Sequence, residues 1–346
     1  MRILSVVTRN YYGQPQALEP MFLEFTEPLL RMGHVVEHFD HVLTCAQVGP
    51  DECGAQFIDT IKRRGYDLIL YQTGGRDFVA RDAIADAARR APIVAWNSDD
   101  DWQWETYTRL IAPLFTYAIT TYPHIYNGAR RQHPNLLLSQ WGCLETDAQL
   151  DREKDLEFTF VGQVYRSRVA ELRALRKNAG LRIFGLGALR VSFPPMNNRF
   201  VRNCVTRILP ATNRALAFPE VHAIWNRSKI SYTPLGASTD SRMLQIKGRV
   251  FQMGLSGTLM LCQACENLDP YYTAGKEYVP FYNLQDCVSK ARYYLNHESE
   301  RAWIAGAYAA RTRAEHLWSH RFADIFRKIG ISRGTGVPRV PPVLAA

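Results

Sequence analysis

Lys247-Gly248-Arg249-Val250-Phe251-Gln252 sets two cations around a glycine at the start of a helical stretch, with Gly254 and Gly257 just beyond it. Basic side chains beside backbone amides at a helix start suit a phosphate-bearing ligand: the amides donate hydrogen bonds and the cations neutralise charge. Arg166 and Arg168 offer a second basic pair, just after the apolar run LEFTFVG. For each of the four the plain alternative is a solvated surface cation.

Asp99-Asp100-Asp101 follows the apolar run PIVAW. Carboxylates sharing one site raise one another's pKa, which marks such a group for chemistry. An Asp-x-Asp pair can also hold a divalent cation. The structural alternative is an N-cap for the helix starting near Trp102, a role that falls most naturally to Asp101. His124, in Thr121-Tyr122-Pro123-His124, also follows a strand and has the chemistry of a general base. Glu266 comes after the run TLMLC, and Tyr12 and Gly13 lie in the loop after the first strand. That loop, TRNYYGQPQ, lacks a G-x-G-x-x-G, which counts against a nicotinamide-dependent oxidoreductase or epimerase. Cys262-x-x-Cys265 has no second pair and its first cysteine ends a strand, so it reads as structural thiols.

These residues recur at one place in the pattern, the carboxyl ends of short apolar runs. Strands are expected at residues 2–8, 35–39, 67–71, 92–96, 117–121 and 136–139, with helices at 16–31 and across 56–64. The runs DLILY and PIVAW are apolar throughout, as strands buried on both faces should be. A polar stretch at 147–154 reads as a linker, and a second alternating series begins at Leu156. It predicts strands at 156–162, 181–184 and 229–233, helices at 166–178 and 220–227, then the 247–315 region in the order helix, strand, acidic loop, strand, helix, helix. Two Rossmann-like units in tandem follow, residues 1–150 and 155–318. A terminal helix over 319–330 is expected to pack back on the first unit, and a Gly/Pro-rich tail over 331–346 to be disordered.

Length and charge agree with that division. A chain of 346 residues exceeds one ordinary core. Residues 1–150 carry 13 Lys/Arg and 18 Asp/Glu, a net of −5, whereas the remainder carries 29 and 15, a net of +14. An acidic first half joined to a basic second half argues against a uniform nucleic-acid-binding surface, and no specific nucleic-acid binding is expected. No run of about 18 apolar residues exists for a membrane span. ILSVV near the N-terminus is too short for a signal peptide, and the seven cysteines lack framework spacing, so a cytoplasmic protein is expected. Between residues 190 and 218 five arginines and no acid alternate with apolar residues. That segment reads either as an irregular surface excursion or as a basic flap touching an anionic acceptor or the inner membrane face.

The ordered pieces resemble the CgeB-like, spore-maturation-type GT-B glycosyltransferases, related to glycosyltransferase family 4. The matching residues are Phe160-Val161-Gly162 followed by Arg166 and Arg168, then Asn226-Arg227-Ser228-Lys229-Ile230. After them come Lys247 to Gly257, Tyr293-Tyr294-Leu295, Glu300-Arg301 and a histidine-containing terminal helix. The resemblance implies two Rossmann-like domains facing a central cleft, with a nucleotide-sugar donor on the second. It also implies a hydroxyl acceptor on the first, no cofactor, no required metal and retention of anomeric configuration.

On that resemblance Arg166, Arg168, Lys247, Arg249, Gln252 and Glu266 bind the donor. Asp99, Asp100 and His124 are catalytic or acceptor-side, and Tyr12 and Gly13 face the phosphates or acceptor. Gln252 departs from the pattern, for such enzymes carry there a glutamate that accepts the ribose hydroxyls. The acidic partner eight residues earlier is replaced by Leu244. A glutamine carbonyl still accepts a hydroxyl, with less charge assistance. The alternative is a catalytically degenerate homologue that binds nucleotide or serves as a partner subunit.

Overall fold

The computed structural model describes residues 1–10, 18–146, 149–192, 214–236 and 243–331. The chain divides into two compact units, Met1–Glu145 with the segment from Trp318 onward, and Thr146–Leu317.

The first unit carries six parallel strands: β1 (Arg2–Val6), β2 (Val35–Phe39), β3 (Leu68–Gln72), β4 (Ile93–Asn97), β5 (Tyr117–Thr120) and β6 (Leu136–Leu138). Their order is β2-β1-β3-β4-β5-β6. The crossovers are α1 (Pro20–Arg31), α2 (His41–Val48), α3 (Pro50–Arg64), α4 (Arg81–Arg90), α5 (Asp100–Gln103), α6 (Arg109–Ile111) and α7 (Pro123–Ala129). Strands β3 and β4 are nearly sealed on both faces, which explains their unbroken apolar runs. Proline within the first two positions starts α1, α3 and α7, where its missing N–H costs nothing. Between α5 and α6 the helix widens into a π-turn over Trp104–Thr108.

The C-terminal helix Trp318–Lys328 packs in this unit. Trp318 donates its amide to the Cys143 carbonyl at 2.9 Å. Its ring lies 5.2 Å from Trp96 and 5.6 Å from Phe25. Gly142 permits this approach, because a Cβ there would stand 2.8 Å from the Trp318 amide nitrogen.

The second unit carries five parallel strands: β7 (Leu156–Val161), β8 (Arg182–Phe184), β9 (Ser228–Thr233), β10 (Leu259–Gln263) and β11 (Val279–Phe281). Their order is β11-β10-β9-β7-β8. The helices are α8 (Val169–Ala179), α9 (Leu189–Ser192), α10 (Phe218–Arg227), α11 (Arg249–Gln252), α12 (Leu284–Asn296) and α13 (Glu298–Glu315). Phe158, Phe160, Ile230, Tyr232, Leu259 and Leu261 fill the core of this unit together with Leu172 and Leu175 of α8. The stretch before β7 is pinned: the Lys154 ammonium donates to the carbonyls of Asn226 at 2.8 Å and Ser256 at 2.5 Å. Burial, with Arg301 and Arg152 nearby, pulls that ammonium down to about 8.

The helical stretch expected at 247–252 is a single turn. Gly254 lies against α13, where a Cβ would meet the Thr312 hydroxyl at 2.3 Å, and Gly257 takes a positive φ of 69°. Close approach and left-handed backbone together stop the helix.

Candidate functional site

In the second sheet the chain leaves β7 to one side, for β8, and returns on the other side as β9. The loops that follow β7 and β9 therefore diverge, and in open parallel sheets such a switch point is where ligands bind, outside the carboxyl ends of the strands. Gly162 follows β7 directly, with φ 144°, and Gly236 lies three residues past β9.

Three of the four cations singled out in the sequence meet here. Arg168 is 4% exposed and its Nη2 donates to the Gly236 carbonyl. Lys247 donates its Nζ to the same carbonyl at 2.9 Å. Arg249 lays its guanidinium over the Phe160 ring, 5.2 Å from the centroid. It also lies against Gly162, where a Cβ would be 2.9 Å from Nη2. The buried Nη1 atoms of both Arg168 and Arg249 have no hydrogen-bond partner among the described residues.

The electrostatics point the same way. Burial, and then the neighbouring Arg168, pull Arg249 down to about 10. Burial also lowers Arg168, against the opposing pull of Tyr232, Tyr165 and Glu171. A buried charge that is not fully paired costs on the order of several kcal/mol, so an anion would be favoured beside these two guanidinium groups.

The remaining donor-side candidates are placed differently. Arg166 is exposed, in the 3₁₀ turn Arg166–Arg168 before α8. Glu266 is exposed and opens the 3₁₀ turn Glu266–Leu268 after β10. Gln252 is half-buried at the last position of α11. Within this turn Val250 N–H donates to the Lys247 carbonyl, and Phe251 and Gln252 N–H donate to that of Gly248. With one turn of helix there is little macrodipole, and the side-chain cations carry the charge.

Gln263 was not anticipated. This residue ends β10, and its Oε1 accepts from the backbone N–H groups of Leu235 at 3.0 Å and Gly236 at 3.2 Å. A polar residue closing the apolar run LMLC was the only signal of it in the sequence.

In the first unit the triple aspartate separates by burial. Asp99 is exposed, whereas Asp100 is 1% exposed with both carboxyl oxygens lacking a hydrogen-bond partner among the described residues. Burial pushes Asp100 up to about 6. The Thr120 and Thr108 hydroxyls beside it act in the other direction, and the Asp99 and Asp101 charges add to the rise. Asp100 is thus sealed from solvent within the first unit, unlike its exposed neighbour Asp99.

The N-cap expectation for Asp101 fails. Asp99 occupies the cap of α5 without its side chain bonding to the helix amides, while Asp101 accepts from the Tyr122 hydroxyl at 3.2 Å. That hydroxyl also reaches the Ser98 carbonyl at 3.4 Å, which ties the loop after β4 to the loop after β5. His124 is exposed on the latter, its ring 5.8 Å from Tyr122. Tyr12 and Gly13 lie outside the described residues, as do Arg199, Arg202 and Arg207 of the basic segment and the tail from Ser332.

Cys262 is buried in β10 and Cys265 half-buried, and burial raises both thiols. Among the described residues no group of three or more histidine, cysteine or carboxylate side chains is placed to hold a metal ion. Among the same residues no helix is long and apolar enough to cross a membrane.

A family model described as glycosyl transferase-like matches residues 148–327, just over half of the chain. The chain belongs to this family. The matched region contains the switch point of the second unit with Arg168, Lys247 and Arg249. A comparison with the curated proteins finds no match.

Solved structures with the same fold include Anabaena HepE in complex with UDP-glucose, at 12% identity and a TM-score of 0.60, covering 95% of this chain and 99% of that one. A glycosyltransferase from Rickettsia africae matches at 10% identity and a TM-score of 0.59, covering 95% and 98%. The S. aureus MnaA–UDP structure matches at 14% identity and a TM-score of 0.52, covering 96% and 97%. With two parallel Rossmann-like sheets and these matches, the fold is GT-B.

Proposed function

We propose that this member of the glycosyl transferase-like family moves a hexose or related sugar from a nucleotide-diphosphate sugar to a hydroxyl acceptor. We place it in the CgeB-like branch. The observation that carries the reading is the pair of guanidinium groups of Arg168 and Arg249, each with a buried Nη1 lacking a partner among the described residues, at the switch point of the second sheet.

As the glycosidic bond breaks, negative charge moves onto the leaving diphosphate, and donors fixed in a dry site stabilise that charge most effectively. Arg168 and Arg249 would hold the diphosphate oxygens, with Lys247 adding a third positive charge. Three fixed cations support transfer without a metal ion. The Gln252 amide oxygen accepts a ribose hydroxyl, and Arg166 and Glu266 lie at the outer edge of the donor site. The fold shared with HepE, a protein solved with UDP-glucose, supports a uridine donor as the first to test. On the first unit, exposed Asp99 and His124 line the acceptor side. Retention of configuration is our reading from the resemblance to family 4.

Gln252 and Leu244, standing where a pair of acids is expected, favour a second reading, a homologue that binds nucleotide without transferring sugar. One experiment separates the two. The protein is incubated with UDP-, GDP- and dTDP-sugars and free nucleotide is followed, with UDP binding measured in parallel by calorimetry. Transfer predicts release that is lost in Arg249→Met. Tight UDP binding with no release from any donor supports the second reading, and neither binding nor release contradicts both.

A further inference from the structure

The Gly236 carbonyl is the point on which the donor-side cations converge, since it accepts from both Arg168 and Lys247. A carbonyl can orient two cations only if the backbone leading to it is fixed. Gly236 stands at the edge of a loop, with residues 237–242 outside the described residues and Leu244 opposite it in an isolated antiparallel bridge. From that side the Gln245 amide donates to the Leu235 carbonyl at 2.8 Å. From the other side Gln263 holds the two amides, its Oε1 accepting both the Leu235 and the Gly236 N–H. Leu235 is fully buried, so those amides have no ready replacement in water.

We propose that Gln263 is the positioning residue of the donor site. By accepting two consecutive backbone amides from the end of β10, it orients the Gly236 carbonyl so that Arg168 and Lys247 are held ready for a diphosphate. This rests on the reading of the cation cluster as the diphosphate site. Gln263 acts through the two peptides that precede the Gly236 carbonyl and needs no contact with the ligand. A glutamine suits the task because its amide oxygen accepts two bonds without adding a negative charge that would compete with the diphosphate. Methionine keeps the length and volume of the side chain and removes the acceptor.

The test uses the full chain with inorganic pyrophosphate and UDP as probes. Gln263→Met should weaken both by at least tenfold. Hydrogen exchange at the Leu235 and Gly236 amides should quicken, while amides elsewhere in β9 keep their protection. In a double-mutant cycle, Gln263→Met with Arg168→Met should be far less than additive, because both act through one carbonyl. A merely structural role predicts additive losses and exchange that quickens across the whole unit, and would overturn the proposal. Gln263→Glu retains the acceptor and should restore slow exchange at both amides; fast exchange there would count against the idea as well.

Arg249→Met separates this inference from the reading beneath it. If Arg249→Met abolishes pyrophosphate binding and Gln263→Met does not weaken it, the positioning role alone is wrong. If the parent chain binds neither probe, both are wrong.

Discussion

The Arg249 guanidinium, which crosses the face of Phe160, occupies the space that a side chain on Gly162, the first residue after β7, would need. A Cβ at Gly162 would stand 2.9 Å from Nη2 and 3.3 Å from Nη1 of Arg249, and the residue already sits at φ 144°. Gly162 thus does more than permit a turn, for its lack of a side chain makes room for the charge.

Gly162→Ala should therefore carry two penalties. Strained backbone costs about 1–3 kcal/mol of stability, and the displaced guanidinium should weaken UDP binding by tenfold or more. Chemical denaturation and calorimetry on the same preparation read both effects. A loss of stability with unchanged affinity would show that Arg249 does not need this position.

Asp100 supplies a pH-dependent prediction. Its folded pKa of about 6 lies above the ordinary aspartate value of 3.8, so between those values the folded state holds the proton more tightly than the unfolded chain. Stability from this group is present below about pH 4 and declines as pH rises through 6, with a ceiling of about 3 kcal/mol. Asp100→Asn should raise the melting temperature at pH 7.5, and the gain should shrink towards zero as pH falls to 4. Thermal melts across that range decide it, and a variant that is less stable at pH 7.5 would mean that the buried carboxylate is compensated.

Asp99 and His124 should behave differently, since both are exposed at the carboxyl ends of the adjacent strands β4 and β5. With a competent acceptor, Asp99→Asn and His124→Ala should each lower kcat by tenfold or more. Neither should shift UDP affinity beyond about twofold. Steady-state kinetics set beside calorimetry would detect the opposite pattern, weaker UDP binding with kcat unchanged, which would remove both residues from the acceptor side.

The alternation of short apolar runs made the two parallel sheets legible, because strands buried on both faces, such as Leu68–Gln72 and Ile93–Asn97, leave an unmistakable signature. Basic residues after such runs located the cations. Three consecutive aspartates look alike as letters, and only the packing of α5 over Thr108 and Thr120 decides that Asp100 is sealed and Asp99 exposed. The shortness of α11 depends on Thr312, in a distant part of the chain, lying where a side chain on Gly254 would go. Gln263 reaches back 28 residues to Leu235, and no local pattern encodes such a bond.

The most direct test is the pair of guanidinium groups without anion, read as stability with and without UDP. Replacing Arg249 by methionine removes a partly buried charge whose Nη1 lacks a partner among the described residues, so the ligand-free Arg249→Met protein should melt no lower than the parent and about 1–3 kcal/mol more stably. UDP at a hundredfold excess over its Kd should stabilise the parent by about 2.7 kcal/mol and leave the variant unmoved. A variant that is less stable without UDP, yet stabilised by UDP as strongly as the parent, would contradict the assignment of this site to the donor diphosphate.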